Sequence, residues 1–260
     1  MRSDSSVASV KWRVIPLQAR DAHANMALDE AVSEAVSRGE SPPTIRFYTW
    51  KPSAVSIGYF QGLEDEVDVA LVKEKGFDFV RRRTGGGAVY HDTNGEVTYS
   101  VIAPESFFPK GITESYRVIC GWIVEGLKGL GIEAEFKPIN DVAVKLSGKK
   151  ISGNAQTRRN GVLLQHGTML YDLDVVTMFQ LLKVPREKIS DKMIQSVEER
   201  VTCVKKHNAD ASLERAYKAL LHGFTEGKEF GFGEYSGGEL ARARELVESR
   251  YSTREWNYLK

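Results

Sequence analysis

The chain has 260 residues, 42% of them hydrophobic and 27% charged, and a formal net charge of +1. That length can bury a sizeable core without disulfide or metal staples, and the near-neutral balance argues against a general polyanion binder. Two cysteines, Cys120 and Cys203, with no CxxC or Cys/His cluster, suggest neither a zinc site nor a disulfide framework and fit a reducing cytoplasm.

The stretch from Met1 to Pro16 begins Ser/Asp-rich and lacks the apolar core of a signal peptide. No apolar run approaches the ~20 residues of a membrane span. The expectation is a soluble cytoplasmic protein with neither a membrane nor a nucleic-acid partner. The first predicted helix follows Asp21, with Ala24, Ala27, Leu28, Ala31, Val32 and Ala35 at helical spacing and Gly39 as its stop. Strands are predicted at Thr44–Tyr48 and Ala54–Ile57, split by the Lys51-Pro52-Ser53 turn. A helix over Val67–Lys75 ends near Gly76, a strand over Phe77–Arg83 runs into three glycines, and Val97–Ala103 is another strand. Ile112–Leu130 carries one apolar stripe of Tyr116, Ile119, Cys120, Ile123, Leu127 and Leu130, with Gly131 as a cap. Three strands crowd together at Val142–Leu146, Lys149–Ala155 and Gly161–Leu170, the first two joined by a Ser147-Gly148 turn. From about Asp174 the pattern turns helical, including Ser212–Phe224 and Gly238–Arg250. Strands that neighbour one another in sequence, rather than alternating with helices, favour an α+β fold with mixed or antiparallel sheets flanked by helices.

Three segments carry candidate chemistry. In Arg81-Arg82-Arg83-Thr84-Gly85-Gly86-Gly87, the glycines let backbone N–H groups approach an anion and the arginines add charge-assisted donors. The loop lacks both the P-loop and the GxGxxG patterns, so a flexible turn beside a basic strand end is an equal reading. Further on, Lys150, Ser152 and Asn154 would share one strand face with Ile151 on the other. A lysine there can neutralise a developing negative charge, although a solvated surface pair Lys149-Lys150 is the commoner outcome. His166, with Leu164 and Thr168, reads as a core histidine before a catalyst. His91-Asp92 gains weight from the adjoining loop. The aromatic runs Arg46-Phe47-Tyr48-Thr49-Trp50 and Gly58-Tyr59-Phe60-Gln61 suit an apolar slot or ordinary strand core.

Taken together, these segments resemble the lipoate–protein ligase family. The resemblance rests on Asn25-Met26-Ala27-Leu28-Asp29-Glu30, Arg46-Phe47-Tyr48, Gly58-Tyr59-Phe60-Gln61, the loop from Arg82 through Thr84-Gly85-Gly86-Gly87-Ala88-Val89-Tyr90-His91-Asp92, Asn140-Asp141, Gly148-Lys149-Lys150-Ile151-Ser152-Gly153-Asn154-Ala155 and Gln165-His166-Gly167-Thr168. It implies the biotin/lipoate ligase catalytic fold, related to class II aminoacyl-tRNA synthetase cores. It also implies an AMP-forming ligase that activates lipoate or octanoate with ATP and Mg2+ and passes the acyl group to a lysine. The implied acceptors are lipoyl domains of 2-oxoacid dehydrogenases or the glycine-cleavage H protein. The implied contacts to nucleotide and adenylate are Arg82, Thr84, Gly85, Gly86, Gly87, Ala88, Val89, Tyr90, His91, Asn140, Asp141, Lys150 and His166, with Lys150 catalytic and Asp141 a contact for Mg2+. The chain is expected to be one catalytic domain over residues 1–260, with the family's small C-terminal domain supplied by a separate accessory protein. Two alternatives stand beside this: an octanoyl or lipoyl transferase that uses a cysteine and no ATP, and a non-catalytic paralogue that binds an acyl adenylate. A cysteine for the first would have to lie near the Lys150 strand, where the sequence has Asn140-Asp141 instead.

Overall fold

A computed structural model describes residues 10–183, 195 and 197–260. The expected helical continuation over 184–194, and the reading of Met1 to Ser9, lie outside these residues. In chain order the elements begin with strand β1 (Trp12–Arg20), helix α1 (Ala22–Ser37), strands β2 (Thr44–Trp50) and β3 (Ala54–Ile57), and short helices α2 (Leu63–Glu66) and α3 (Val69–Glu74). Strands β4 (Asp78–Arg81), β5 (Val89–His91) and β6 (Glu96–Pro104) follow, then helix α4 (Ile112–Lys128). Strands β7 (Ala134–Lys137), β8 (Asp141–Val144), β9 (Lys150–Arg159) and β10 (Val162–Leu170) precede helices α5 (Val175–Leu181), α6 (Val204–His207) and α7 (Leu213–Thr225). The chain ends with β11 (Phe230–Phe232), α8 (Gly237–Leu246), a π-helical turn and α9 (Arg254–Asn257).

Eight strands form one mixed sheet in the order β11-β1-β2-β6-β10-β9-β8-β7, and β4-β3-β5 form a second. In the large sheet β1 runs parallel to β11 and β2, and the remaining neighbours are antiparallel. This is the α+β class with mixed sheets that the strand spacing implies. Asp21 caps α1 through its side chain, which accepts from Ala24 N at 2.8 Å, as the sequence signal requires. The predicted helix over Val67–Lys75 is found as α3, which starts two residues later because Val67 is extended and bridges to Leu182, and which that residue separates from α2. Strand β1 has no counterpart among the predicted elements.

Alternation along the strands sends two different sets of side chains to the two sheet faces. Ile45, Phe47, Val97, Tyr99, Val101 and Leu163 pack against Ile119, Cys120, Ile123 and Leu127 of α4 and Ala216, Leu220 and Phe224 of α7. The helices cross so closely that a Cβ on Gly223 would meet Trp122 O at 2.2 Å. The other face carries Tyr48, Trp50, Ile102 and Leu164 against Met26, Ala27, Ala31 and Val32 of α1 and Ala243 and Leu246 of α8. Polar positions of the same strands, Arg46, Glu96, Thr98 and Ser100, are buried on that side with it. The small sheet, with α2 and α3, makes a third apolar cluster and brings the glycine loop over this second face.

Candidate active site

The three consecutive arginines after β4 have three different partners. Arg81 is fully buried and donates to Gly58 O, Tyr59 O and Gln61 O and to the backbone oxygens of Trp256 and Asn257. Arg83 pairs with Glu30 at 2.6 Å. Only Arg82 turns to the loop: Nη1 donates to Ser56 O and Oγ (3.2 and 3.1 Å), and Nη2 donates to Gly85 O and Gly87 O (2.9 and 2.8 Å). Burial lowers its pKa to about 10, so it stays cationic at neutral pH. Two glycines are demanded here by space. A Cβ on Gly58 would lie 2.0 Å from Gly86 O, and Gly86 itself has φ +100°.

Two histidines face the loop from the sheet, each fixed at both ring nitrogens. His166 Nε2 lies 2.7 Å from Thr84 Oγ1 and Nδ1 lies 2.9 Å from Asp29 Oδ2, while Asp29 Oδ1 pairs with Arg46 at 2.7 Å. Burial holds His166 below the ordinary imidazole value despite Asp29. Burial would raise the Asp29 carboxyl, but Arg46 and His166 together hold it below its usual value. His91 Nε2 lies 2.8 Å from Ser56 Oγ and Nδ1 lies 2.6 Å from Glu96 Oε1, and the ring stacks on Trp50 at 3.9 Å.

Lys150 reaches this site by a route that strict alternation misassigns. The β8–β9 register shifts between Val142 and Ala143, so one strand carries an extra residue. Ile151 therefore joins the core under α4, and Asn154 Oδ1 accepts from Tyr99 Oη on that same side at 2.7 Å. Lys150 instead folds over Gly153, where a Cβ would meet its Nζ at 2.8 Å, and pairs with Asp141 at 2.7 Å. The expected shared face of Lys150, Ser152 and Asn154 is thus corrected by a bulge. Asn140 Nδ2 donates to Asn154 O, and Asn154 Nδ2 returns a bond to Asn140 O at 2.8 Å, which fixes the turn before β8.

A cavity of about 280 Å³ lies between these groups. Of the residues expected to contact nucleotide and adenylate, Arg82, Gly86, Gly87, Ala88, Val89, Tyr90, His91, Asn140, Lys150 and His166 line it, and Asn154 and Thr168 join them. Thr84 and Gly85 are not among the lining residues, and Thr84 is fully buried behind His166. Asp141 stands back from the lining as the partner of Lys150. The cavity also takes Met26, Ser56, Thr98, Leu170, Leu173, Met178, Leu182 and Val201, none of them singled out individually as site residues. Met26 and Leu170 read as core from spacing alone, and Met178, Leu182 and Val201 come from segments distant in sequence. Of the aromatic run before the loop, Tyr48 and Trp50 line the slot, whereas Phe47 packs on the opposite face.

Neither cysteine lines the cavity. Cys120 is buried in the core on the opposite sheet face, and burial pushes its thiol up to about 12. Cys203 is buried at the start of α6 and is likewise raised by burial. Both thiols are therefore protonated and poor nucleophiles at neutral pH. No helix among the described residues is long and apolar enough to cross a membrane.

The lipoyl protein ligase A/B catalytic domain model matches residues 21–225. Octanoyltransferase LipM of Kyrpidia tusciae is 41% identical, covering 96% of this chain and 99% of that one. The octanoyltransferase LipM of Brevibacillus brevis is 39% identical over 95% and 98%. Among solved structures, the bipartite lipoate–protein ligase from Thermoplasma acidophilum, described with its E2 lipoyl domain, is 37% identical with a TM-score of 0.85 over 96% of each chain. Lipoate-protein ligase A bound with ATP is 34% identical with a TM-score of 0.80, covering 95% of this chain and 98% of that one. The octanoyltransferase relatives correct the expectation of an AMP-forming, ATP-dependent ligase, and with it the nucleotide-binding and adenylation roles and the ATP and Mg2+ cofactors. A transferase that receives an acyl group already activated as a thioester has no step for ATP or Mg2+ to serve. Asp141, expected to touch Mg2+, pairs with Lys150 at 2.7 Å.

Proposed function

Because the chain belongs to the lipoyl protein ligase A/B catalytic domain family, we propose that it transfers an octanoyl group from a carrier thioester to the lysine of a lipoyl-domain protein. The observation that carries this reading is the slot itself. Its inner wall is apolar, with Met26, Trp50, Leu170, Met178 and Leu182, and a single lysine, Lys150, stands among its polar lining. At about 280 Å³ the slot falls at the small end of ligand sites, which suits a slender acyl chain.

The chemistry follows from charge. Attack of an amine on an acyl carbonyl builds negative charge on the carbonyl oxygen. The Lys150 ammonium, held in place by Asp141, and the Arg82 guanidinium supply preorganised positive charge beside that oxygen. The acceptor lysine must arrive neutral, and an apolar slot favours the neutral amine. The acceptor class is argued from two similarities: the relatives move octanoyl groups, and the Thermoplasma ligase is described with a lipoyl domain. Within that class, lipoyl domains of 2-oxoacid dehydrogenases and the glycine-cleavage H protein are the acceptors to compare. That bipartite neighbour also motivates the arm with a separate accessory protein, the chain working as one catalytic unit over residues 1–260.

The deciding experiment mixes the chain with octanoyl carrier-protein thioester and a lipoyl domain in the absence of nucleotide, with and without a candidate accessory protein. Intact-mass spectrometry should find the acceptor lysine octanoylated in both arms. Acylation that appears only after ATP is added would overturn the reading.

A further inference from the structure

We propose that Ser56 is the residue that carries the acyl group, as an octanoyl ester, in place of a cysteine. The inference rests on the transferase reading above. A transferase that moves an acyl group between two large carriers gains from a covalent stop, because each step then needs only one carrier in the slot. The two cysteines of this chain do not serve. Both are buried and outside the cavity lining, and burial pushes their thiols up.

The slot offers a hydroxyl in their stead. Ser56 Oγ lies 2.8 Å from His91 Nε2, and His91 Nδ1 lies 2.6 Å from Glu96 Oε1. This is the nucleophile–base–orienter arrangement of hydroxyl catalysis, recognised by geometry and not by order in the chain. The three residues are at most 4% exposed, and Ser56 and His91 line the cavity. The surrounding bonds dictate the proton positions. Thr98 Oγ1 accepts from Trp50 Nε1 and so donates its own proton to Glu96 Oε1. Glu96 then accepts from His91 Nδ1–H, which leaves Nε2 free to accept. Arg82 Nη1 donates to Ser56 Oγ at 3.1 Å, so the serine proton is directed at His91. The same guanidinium stabilises negative charge at Oγ or at an oxyanion beside it. Trp50, stacked on His91, sets the plane of the ring.

The other histidine relay does not offer this. Thr84 is fully buried, does not line the cavity, and presents a more hindered secondary hydroxyl.

In the first step Ser56 Oγ attacks the thioester carbonyl, and its proton passes to His91 Nε2. The Oγ–C bond forms, the C–S bond breaks, and the proton leaves with the carrier thiol. In the second step the neutral lysine amine attacks the ester. The N–C bond forms, the C–O bond breaks, and an amine proton returns through His91 to Ser56 Oγ. No oxidant, reductant or nucleotide enters.

The test incubates the chain with octanoyl carrier-protein thioester alone and reads the intact mass, then maps the adduct by peptide sequencing. The wild-type chain should gain one octanoyl group on Ser56. Ser56→Ala should lose the adduct and slow transfer to the lipoyl domain by up to about 10⁶-fold, the size seen when a triad serine is removed, with an unchanged far-ultraviolet spectrum. Ser56→Cys should restore the adduct as a thioester that neutral hydroxylamine cleaves. The double variant Cys120→Ala/Cys203→Ala should still acquire the group on Ser56. An adduct on either cysteine, or undiminished transfer by Ser56→Ala, overturns the inference and leaves the transferase reading standing. Absence of transfer by the wild-type chain overturns both.

Discussion

The two faces of the large sheet solve burial in opposite ways. Under α4 and α7 the interior is packing: Phe47, Val97, Ile123, Leu220 and Phe224 touch one another, and even the thiol of Cys120 is inert. Under α1 the same strands bury Arg46, His166, Glu96 and Ser100, with Asp29 of the helix set among them. Buried charge is costly unless it is paired, and here the pairs cross elements: Arg46 of β2 meets Asp29 of α1, His166 of β10 meets the same Asp29, and His91 of β5 meets Glu96 of β6. The cavity lies on this charged side, lined by His91, Thr98 and His166. One face holds the fold together, while the other gives up part of that stability to fix charged side chains around the cavity.

Breaking the charged face should have the largest effect. Asp29 joins α1 to β2 through Arg46 and to β10 through His166. Asp29→Ala leaves the Arg46 guanidinium buried without its counter-charge, and stability should fall by about 3–5 kcal/mol in urea titration. Substituting Asp29→Ala and Arg46→Met together should recover part of that loss, since no orphan charge remains. If the single and double variants unfold alike, the pair is not what secures this face.

Lys150→Ala separates chemistry from stability on the same side. The Lys150–Asp141 pair is partly exposed, so its loss should move the unfolding midpoint only slightly. Transfer to the lipoyl domain should drop by about 10²–10³-fold, the size seen for losing one preorganised charge donor. A full-rate Lys150→Ala enzyme would move the oxyanion role to Arg82. On the packed face, Leu220→Ala removes a fully buried side chain and should cost about 3 kcal/mol. The specific activity of the molecules that remain folded should not change. Activity loss beyond the unfolded fraction would show that the two faces are coupled.

This asymmetry also explains what was legible in the sequence. The packed face is periodic: the stripe on Ile112–Leu130 and the strands Val97–Ala103 and Gly161–Leu170 repeat at 3.6 or 2 residues, and so the α+β class follows from them. Strand β1 is half-buried without a clean alternation, which left it unassigned. Of the loop, Arg82 could be told from Arg81 and Arg83 only through partners such as Ser56, Asn257 and Glu30 that lie up to 176 residues away. The bulge that turns Lys150 toward the slot leaves no trace in an alternating pattern. Ser56 is hidden in an apolar strand, Ala54–Ile57, and only the fold brings His91 to it. The mistaken expectation of ATP use has a similar origin. A slot that binds an acyl chain and a lysine that stabilises its carbonyl oxygen serve a ligase and a transferase alike, so those motifs do not report how the acyl group was activated.

The smallest effect, and the most specific to the charged face, is in pH dependence. His166 titrates below its ordinary value in the folded chain because it is buried, and Asp29 titrates below its own because Arg46 and His166 stabilise the carboxylate. In both cases the unfolded chain binds the proton more readily than the folded one, so stability is present above the unfolded pKa and declines as pH falls. The histidine contribution should be lost first, as pH drops below about 6.5, and the aspartate contribution later, below about 3.9. Thermal midpoints from pH 8 to pH 3 should therefore fall in two stages. His166→Gln, which keeps a polar group near Thr84 and Asp29 but cannot take up a proton, should erase the first stage and keep the second. A first stage that survives in His166→Gln would assign it to another histidine.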